Sequence, residues 1–243
     1  MTNPTAAMLV IGDEILSGRT RDANMHHLAG RLTELGIDLK EVRIVSDDRK
    51  AIVSATRALS ETFDHVFTSG GIGPTHDDIT AECIAEAFET PIDIREDARA
   101  LLQAHYDKQG QDLNAARLRM ARIPDGAELI DNPVSTAPGF KLQNVYVMAG
   151  VPSVFQAMVA SVLSVLEGGA PLLSTTTRIE AGEGDIAGPL AELSDLHPEV
   201  SFGSYPYSKN GVYGANIVIR GTDPSAVDVA TKALESIFAD SIT

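Results

Sequence analysis

Residues 68 to 80 read TSGGIGPTHDDIT, which sets an anion-binding turn against its opposite. Gly70, Gly71 and Gly73 make a turn whose bare backbone N–H groups can approach a phosphate closely. Asp77 and Asp78 follow at once, and their charges repel such a ligand. Two further acidic groups, Gly12-Asp13-Glu14 and Asp47-Asp48, follow short apolar runs in the same way. Carboxylates that converge repel one another unless a proton or cation sits among them. Mg²⁺ bridges one or two carboxylates to phosphate oxygens. N–H groups for a phosphate and acids for a divalent cation would therefore make one site. Its candidate metal ligands are Asp13, Glu14, Asp47 and Asp78, of which Asp13, Asp47 and Asp78 are the candidate catalytic acids. Helix capping offers a second explanation: Thr75-x-x-Asp78 fits a capping box, and Asp47 and Asp77 suit the first turns of helices. From these residues alone both readings stay open.

The elements that must position these residues alternate between strand and helix. Residues 7–12 form an apolar run typical of a strand covered on both faces. Met25, Leu28, Leu32 and Leu35 recur at helical spacing, and Gly36 stops that helix. Val42 and Ile44 mark a second strand, Ile52, Thr56, Leu59 and Phe63 a second helix, and residues 65–69 a third strand before the glycine turn. A helix with Ile84, Ala87 and Phe88 follows the turn. This order predicts a mostly parallel sheet with right-handed crossovers, and ligands of such folds bind at the carboxyl ends of the strands. All three acidic groups fall at that edge. Residues 91–122 read as wholly helical. Strands are expected near 127–131, 139–142 and 145–149, then a helix over 152–167. Gly168, Gly169 and Pro171 break the chain and separate residues 1–170 from a smaller unit, 171–243. That unit reads as β-α-β-β-α: strands at 175–181, 200–207 and 214–220, helices at 185–195 and 224–239, and a turn at Asn210-Gly211.

Composition narrows the partners. The chain has 243 residues, 44% of them apolar, enough for a substantial core. Its net charge of −15 argues against nucleic acid, whose phosphates call for basic patches. No apolar stretch is long enough for a membrane span, and the N-terminus lacks the basic start of a signal peptide. The single cysteine, Cys83, fits packing in a reducing compartment, so a cytoplasmic location is expected. Neither a dinucleotide fingerprint nor a P-loop is present. His76 reads as a solvated loop residue, and Asn114 and Arg117 could reach the ligand from the helical segment.

The motifs GDEILSGRTRDAN (12–24), VSDDRKAI (45–52), TSGGIGPTHDDIT (68–80), NPVSTAPGF (132–140) and MAGVPSVFQAM (148–158) occur in an order and at separations that resemble the molybdopterin-binding, MoaB/MogA-like domain. The GGxGPTHDD form is similar to the N-terminal domain of CinA proteins. FGSYPY (202–207) with IVIRGTD (217–223) resembles the C-terminal extension of stand-alone members and part of eukaryotic FAD synthase. Nothing here resembles the amidohydrolase domain of full-length CinA proteins, so deamidation of pyridine nucleotides is not expected. The resemblance implies a three-layer α/β/α fold plus a small C-terminal α+β unit. In one branch it implies binding or adenylylation of molybdopterin. In the CinA-like branch it implies a pyrophosphatase acting on ADP-ribose or an FAD-like dinucleotide, with Mg²⁺, Co²⁺ or Ni²⁺ and with K⁺. A non-catalytic ligand-binding module on the same fold is a third reading. On the resemblance, Gly70, Gly71, Gly73 and Thr75 hold a phosphate, and the aspartate matching Asp78 and one near Asp47 are catalytic. Asn24 is a candidate for phosphate or ribose, and Ser135, Thr136 and Gly139 for a second wall. Gly150 and Pro152 complete the edge, where Ala149 and Val154 depart from the proline and the acid usual in the family. A homo-oligomer, dimer or trimer, is expected.

Overall fold

A computed structural model describes residues 3–209 and 211–242. Tertiary contacts divide the chain into two units, one ending at Gly169 and the other starting at Ala170. The first unit begins with β1 (Thr5–Ile11), the short helix α1 (Asp13–Leu16), α2 (Asn24–Leu35), β2 (Asp38–Val45), α3 (Arg49–Thr62), β3 (His65–Ser69) and α4 (Thr80–Ala87). It continues through β4 (Ile92–Ile94), α5 (Glu96–Lys108), α6 (Ala115–Leu118), a 3-10 turn at Arg119–Ala121, β5 (Arg122–Pro124) and β6 (Glu128–Ile130). Then come β7 (Gly139–Leu142), β8 (Val145–Met148) and α7 (Pro152–Leu163).

The main sheet has the order β2-β1-β3-β8-β7-β6. Strands β2, β1, β3 and β8 run parallel, and β7 and β6 are added antiparallel. The alternation of side chains along β1 explains the three layers. Ala7, Leu9 and Ile11 pack with Ile52 and Leu59 of α3 and Ile84 of α4, whereas Ala6, Met8 and Val10 pack with Leu28 of α2 and Phe155 of α7. Helices therefore cover both faces, as the fully apolar run of β1 predicts. Gly36 ends α2 at φ 72°, a left-handed cap that side chains resist. Val42 and Ile44 do lie on a strand, but β2 is an edge, and both side chains are exposed.

Residues 91–122 are not one helical stretch. Ile92–Ile94 and Arg122–Pro124 pair as antiparallel strands, and α5 ends at Lys108 before Gly110, whose φ of 64° breaks the helix. Helix α7 is also shorter than expected, because the chain past Leu163 turns and Val165 is exposed.

The second unit contains β9 (Leu173–Ile179), α8 (Glu183–Leu196), β10 (Ser201–Lys209), β11 (Val212–Gly221) and α9 (Pro224–Ile237). Its antiparallel sheet has the order β10-β11-β9, and its own core joins Ile179, Ile186, Ile217 and Leu234. Asp223 caps α9 by accepting from Ser225 N, with Pro224 at the first helical position. Gly211 has φ 81° in the β10–β11 turn, while Asn210 of the expected turn pair lies outside the described residues. No helix among the described residues is long and apolar enough to cross a membrane.

Candidate active site

The carboxyl ends of β1, β2, β3 and β8 meet the β6–β7 loop around a cavity of about 420 Å³. Packing makes the glycine turn at its centre. Gly70 has φ 109°, and a Cβ there would lie 2.2 Å from the Ile11 carbonyl oxygen. Gly71 has φ 70°, and a Cβ would lie 2.1 Å from Thr80 Oγ1. Thr80, fully buried, fastens the turn: its N–H donates to Gly71 O and its hydroxyl to Gly70 O. Gly70 N–H is itself engaged with Met148 O at 3.2 Å. The N–H groups of Gly71, Ile72 and Gly73 meet no acceptor among the described residues, so they are the donors open to an anion.

The acids separate by role. Asp48 caps α3 by accepting from Ala51 N at 2.9 Å. That leaves Asp47 free of capping duty, and its carboxylate accepts instead from Asp13 N at 2.9 Å. Burial pushes the Asp47 carboxyl above the usual aspartate range. The Asp13 N–H opposes the shift, and the charges of Asp13, Glu14 and Asp77 add to it. Glu14 folds back against bare Gly12, where a Cβ would lie 2.5 Å from its carboxylate. Asp78 accepts from Thr75 N at 2.8 Å and from the Thr75 hydroxyl, closing the turn at 75–78. The Thr75–Asp78 pair therefore does not cap α4, which starts later at Thr80 behind Ile79. Glu14, Asp47, Asp77 and Asp78 line the cavity, whereas Asp13 contributes its main chain. Among the described residues no three acidic, His or Cys side chains converge as a ready-made metal cage.

Other expected residues divide in the same way. Ser135 and Gly150 line the cavity, together with Ala149, Val151 and Val154, which make that wall apolar. Asn24 is buried and donates to Ser69 Oγ at 2.7 Å and Gly150 O at 2.8 Å. It thus ties the end of β3 to the turn after β8 from behind the cavity. Thr136 points its hydroxyl to His105 Nδ1 at 2.9 Å, away from its cavity-lining neighbours Ser135 and Ala137. Gly139 is a packing position, where a Cβ would lie 2.3 Å from Met158 Cε and from Val147 O. Pro152 starts α7 and does not line the cavity. His76 is exposed. Cys83 is buried in the core, and burial raises its thiol to about 11, as suits packing. Asn114 caps α6, and Arg117 stacks over Tyr106 at 4.3 Å.

Sequence reasoning missed three contributors, and it named Asp77 with its acidic group without choosing it as a ligand. Asp77 and Met120 both line the cavity. Asn132 holds the β6–β7 loop, donating to Ser135 Oγ at 2.6 Å and Ala137 O at 2.8 Å. Its only signal was the Asn-Pro pair that opens NPVSTAPGF. Arg119 donates to Asp78 O at 3.2 Å from a segment distant in sequence, which no spacing rule reveals.

Comparison with known proteins agrees with this fold. Residues 7–168 match the family model described as a probable molybdopterin binding domain, and residues 171–243 match the middle domain of FAD synthase. A probable FAD synthase of Caenorhabditis elegans is 31% identical over 98% of this chain and 50% of its own length. A CinA-like protein of Myxococcus xanthus is 32% identical over 94% of this chain and 57% of its own. The chain thus spans about half the length of these curated relatives. The crystal structure of CinA from Thermoplasma acidophilum aligns with a TM-score of 0.62 and 36% identity, covering 68% of this chain and 98% of that one. With two thirds of its length under one family model and that structure carrying the same fold, the chain belongs to the molybdopterin-binding-domain family, in its CinA-like form with a C-terminal region similar to the middle domain of FAD synthase.

Proposed function

We propose that the cavity binds the pyrophosphate of a dinucleotide, ADP-ribose or an FAD-like molecule, and hydrolyses its phosphoanhydride with the help of a divalent cation. One observation carries this reading: three open N–H donors and a group of acids share one cavity. The N–H groups of Gly71, Ile72 and Gly73 hold one phosphate. A cation completed by ligand phosphate and water needs only one or two protein carboxylates. Asp47, with Glu14 or Asp77 beside it, is the natural pair, and K⁺ would add charge compensation at the same edge. When bound, the cation offsets negative charge on the phosphates. One of the cavity carboxylates would orient the attacking water, whose proton passes to solvent. The water oxygen bonds to phosphorus, the bridging P–O bond breaks, and a nucleoside monophosphate leaves with the other phosphate ester. The apolar wall of Ala149, Val151 and Val154 suits a base or ring. Similarity to proteins named FAD synthase supports a nucleotide ligand.

The family's description favours a second reading, in which the same cavity holds molybdopterin, as a binding or adenylyl-transferring protein or a non-catalytic module. Incubating the purified protein with ADP-ribose or FAD, K⁺ and Mg²⁺, Co²⁺ or Ni²⁺ separates the readings. Release of AMP is expected, with a loss of roughly 100-fold or more in Asp47→Asn. Absence of any phosphate-ester product under all three metals removes the hydrolase reading. Tight molybdopterin binding without turnover establishes the second.

A further inference from the structure

The main sheet ends on one side at β6, three residues long, and on the other at β2, eight residues long. Strand β2 pairs with β1, and no strand lies on its outer side among the described residues. Val45 O accepts from Gly12 N at 3.1 Å, which turns the main chain of Val45 toward β1. Alternation along the strand then turns the N–H and C=O groups of Ile44 and Val42 outward. The register with β1 slips between Leu39 and Glu41 and leaves Lys40 out of step, so the regular part of this edge is residues 41–45. Val42 and Ile44 keep 37% and 44% of their surface exposed, and the stretch contains no proline to blunt it. An open edge of this kind is a template for another strand.

The side chains of the edge say which strand fits. Glu41 and Arg43 share one face, flank Val42, and meet each other at 2.5 Å. Consider two copies of β2 laid antiparallel with Val42 opposite the partner's Val42. The outward groups of the two valines then exchange both hydrogen bonds. Glu41 falls opposite the partner's Arg43, and Arg43 opposite the partner's Glu41, in the positions where opposed side chains come closest. The four charges alternate around a square. Slipping to the next register that keeps outward groups together sets Glu41 against the partner's Glu41 in one direction. In the other direction it sets Arg43 against the partner's Arg43. Both slips are repulsive, so the charges admit one register. We propose that β2 is a dimerisation edge: two copies of this chain join their main sheets antiparallel about a two-fold axis at Val42. The interface is isologous and closed, because each copy uses up the edge of the other. It is independent of what the cavity binds.

The test is sedimentation of the full chain in about 0.15 M salt, where the net charge of −15 is screened beyond about 8 Å but opposed side chains still meet. The unaltered chain is expected to sediment at twice the monomer mass. Val42→Pro removes an outward N–H and none of the bonds to β1, so it should keep the circular dichroism of the fold and sediment as a monomer. Glu41→Arg brings four arginines together and Arg43→Glu four glutamates, and each alone should weaken self-association about 10-fold or more. An equimolar mixture of these two variants restores both cross-strand pairs and should sediment as a dimer with one copy of each. Neither variant has its own Glu41–Arg43 pair, so restoration comes from contact between chains. Should Val42→Pro not fold, the two charge variants and their mixture carry the test. A monomeric unaltered chain overturns the proposal, and so does an oligomer that Val42→Pro leaves intact. Charge variants that stay dimeric alone, or that fail to associate when mixed, overturn it equally.

Discussion

At the scale of single residues, side chains that look like ligands often hold the site from outside. Asn24 is the clearest case, because both its donor contacts go to protein. Asn24→Ala should lower stability by about 1–3 kcal/mol. It should also weaken ligand binding by freeing Gly150, and denaturant titration and calorimetry check the two effects. Asp64 shows the opposite economy, an exposed acid that matters through charge. It accepts from Thr5 N at 2.8 Å and Thr5 Oγ1 at 2.7 Å, and these bonds hold its carboxyl below the usual range. A depressed folded value means stability gained above the unfolded value of about 3.9 and lost as pH falls through the folded one. Asp64→Asn should therefore melt slightly below the unaltered chain at pH 7. The gap should close in melts below about pH 4.

At the scale of elements, the β6–β7 loop is held in tension by α5. Thr136 is β-branched, yet it sits at φ 64°, a conformation that costs about 1–3 kcal/mol. Its hydroxyl meets His105 Nδ1 at 2.9 Å, and Gln109 Nε2 meets His105 Nε2 at 2.9 Å, one helical turn along. This contact opposes relaxation of the loop that presents Ser135. His105→Ala should weaken ligand binding, whereas Thr136→Gly relieves the strain and should make the loop indifferent to His105. The double variant should bind better than the sum of the single effects predicts, a coupling of about 0.5–3 kcal/mol in a thermodynamic cycle. Additive effects would show that the contact does not hold the wall.

At the scale of the whole molecule, each unit has a core of its own, and the cavity is built entirely within the first. Residues 1–169 alone should melt cooperatively and bind pyrophosphate with unchanged affinity. A large loss of affinity in that fragment would assign the second unit a part in binding. Burial, and then the charges of Asp13, Glu14 and Asp77, disfavour the ionised Asp47 carboxylate, a cost that a cation bound as proposed would offset. Mg²⁺ at a hundred times its dissociation constant should stabilise the protein by about 2.7 kcal/mol. Asp47→Asn should erase most of that gain in a thermal melt.

While the three layers were implied by the family resemblance, the sequence by itself determined a mostly parallel α/β sheet and the edge at which the cavity forms. These follow from local facts: the apolar run of β1, the helical periodicity of α2 and α3, and glycines that force turns at strand ends. It also marked Asp47-Asp48 and the glycine turn as the places where chemistry could occur. Only tertiary structure decided which acid does what, because that depends on partners far away in the chain. Asp48 took the cap and left Asp47 to accept from Asp13 N and to line the cavity with Glu14 and Asp77. Gly70 gave its N–H to Met148, and Asp78 turned to Thr75. The short strands at Ile92–Ile94 and Arg122–Pro124 were hidden for the same reason, since each is stable only by pairing with the other. Arg119 carried no local signal, because its place behind the glycine turn comes from packing between segments that spacing along the chain does not relate.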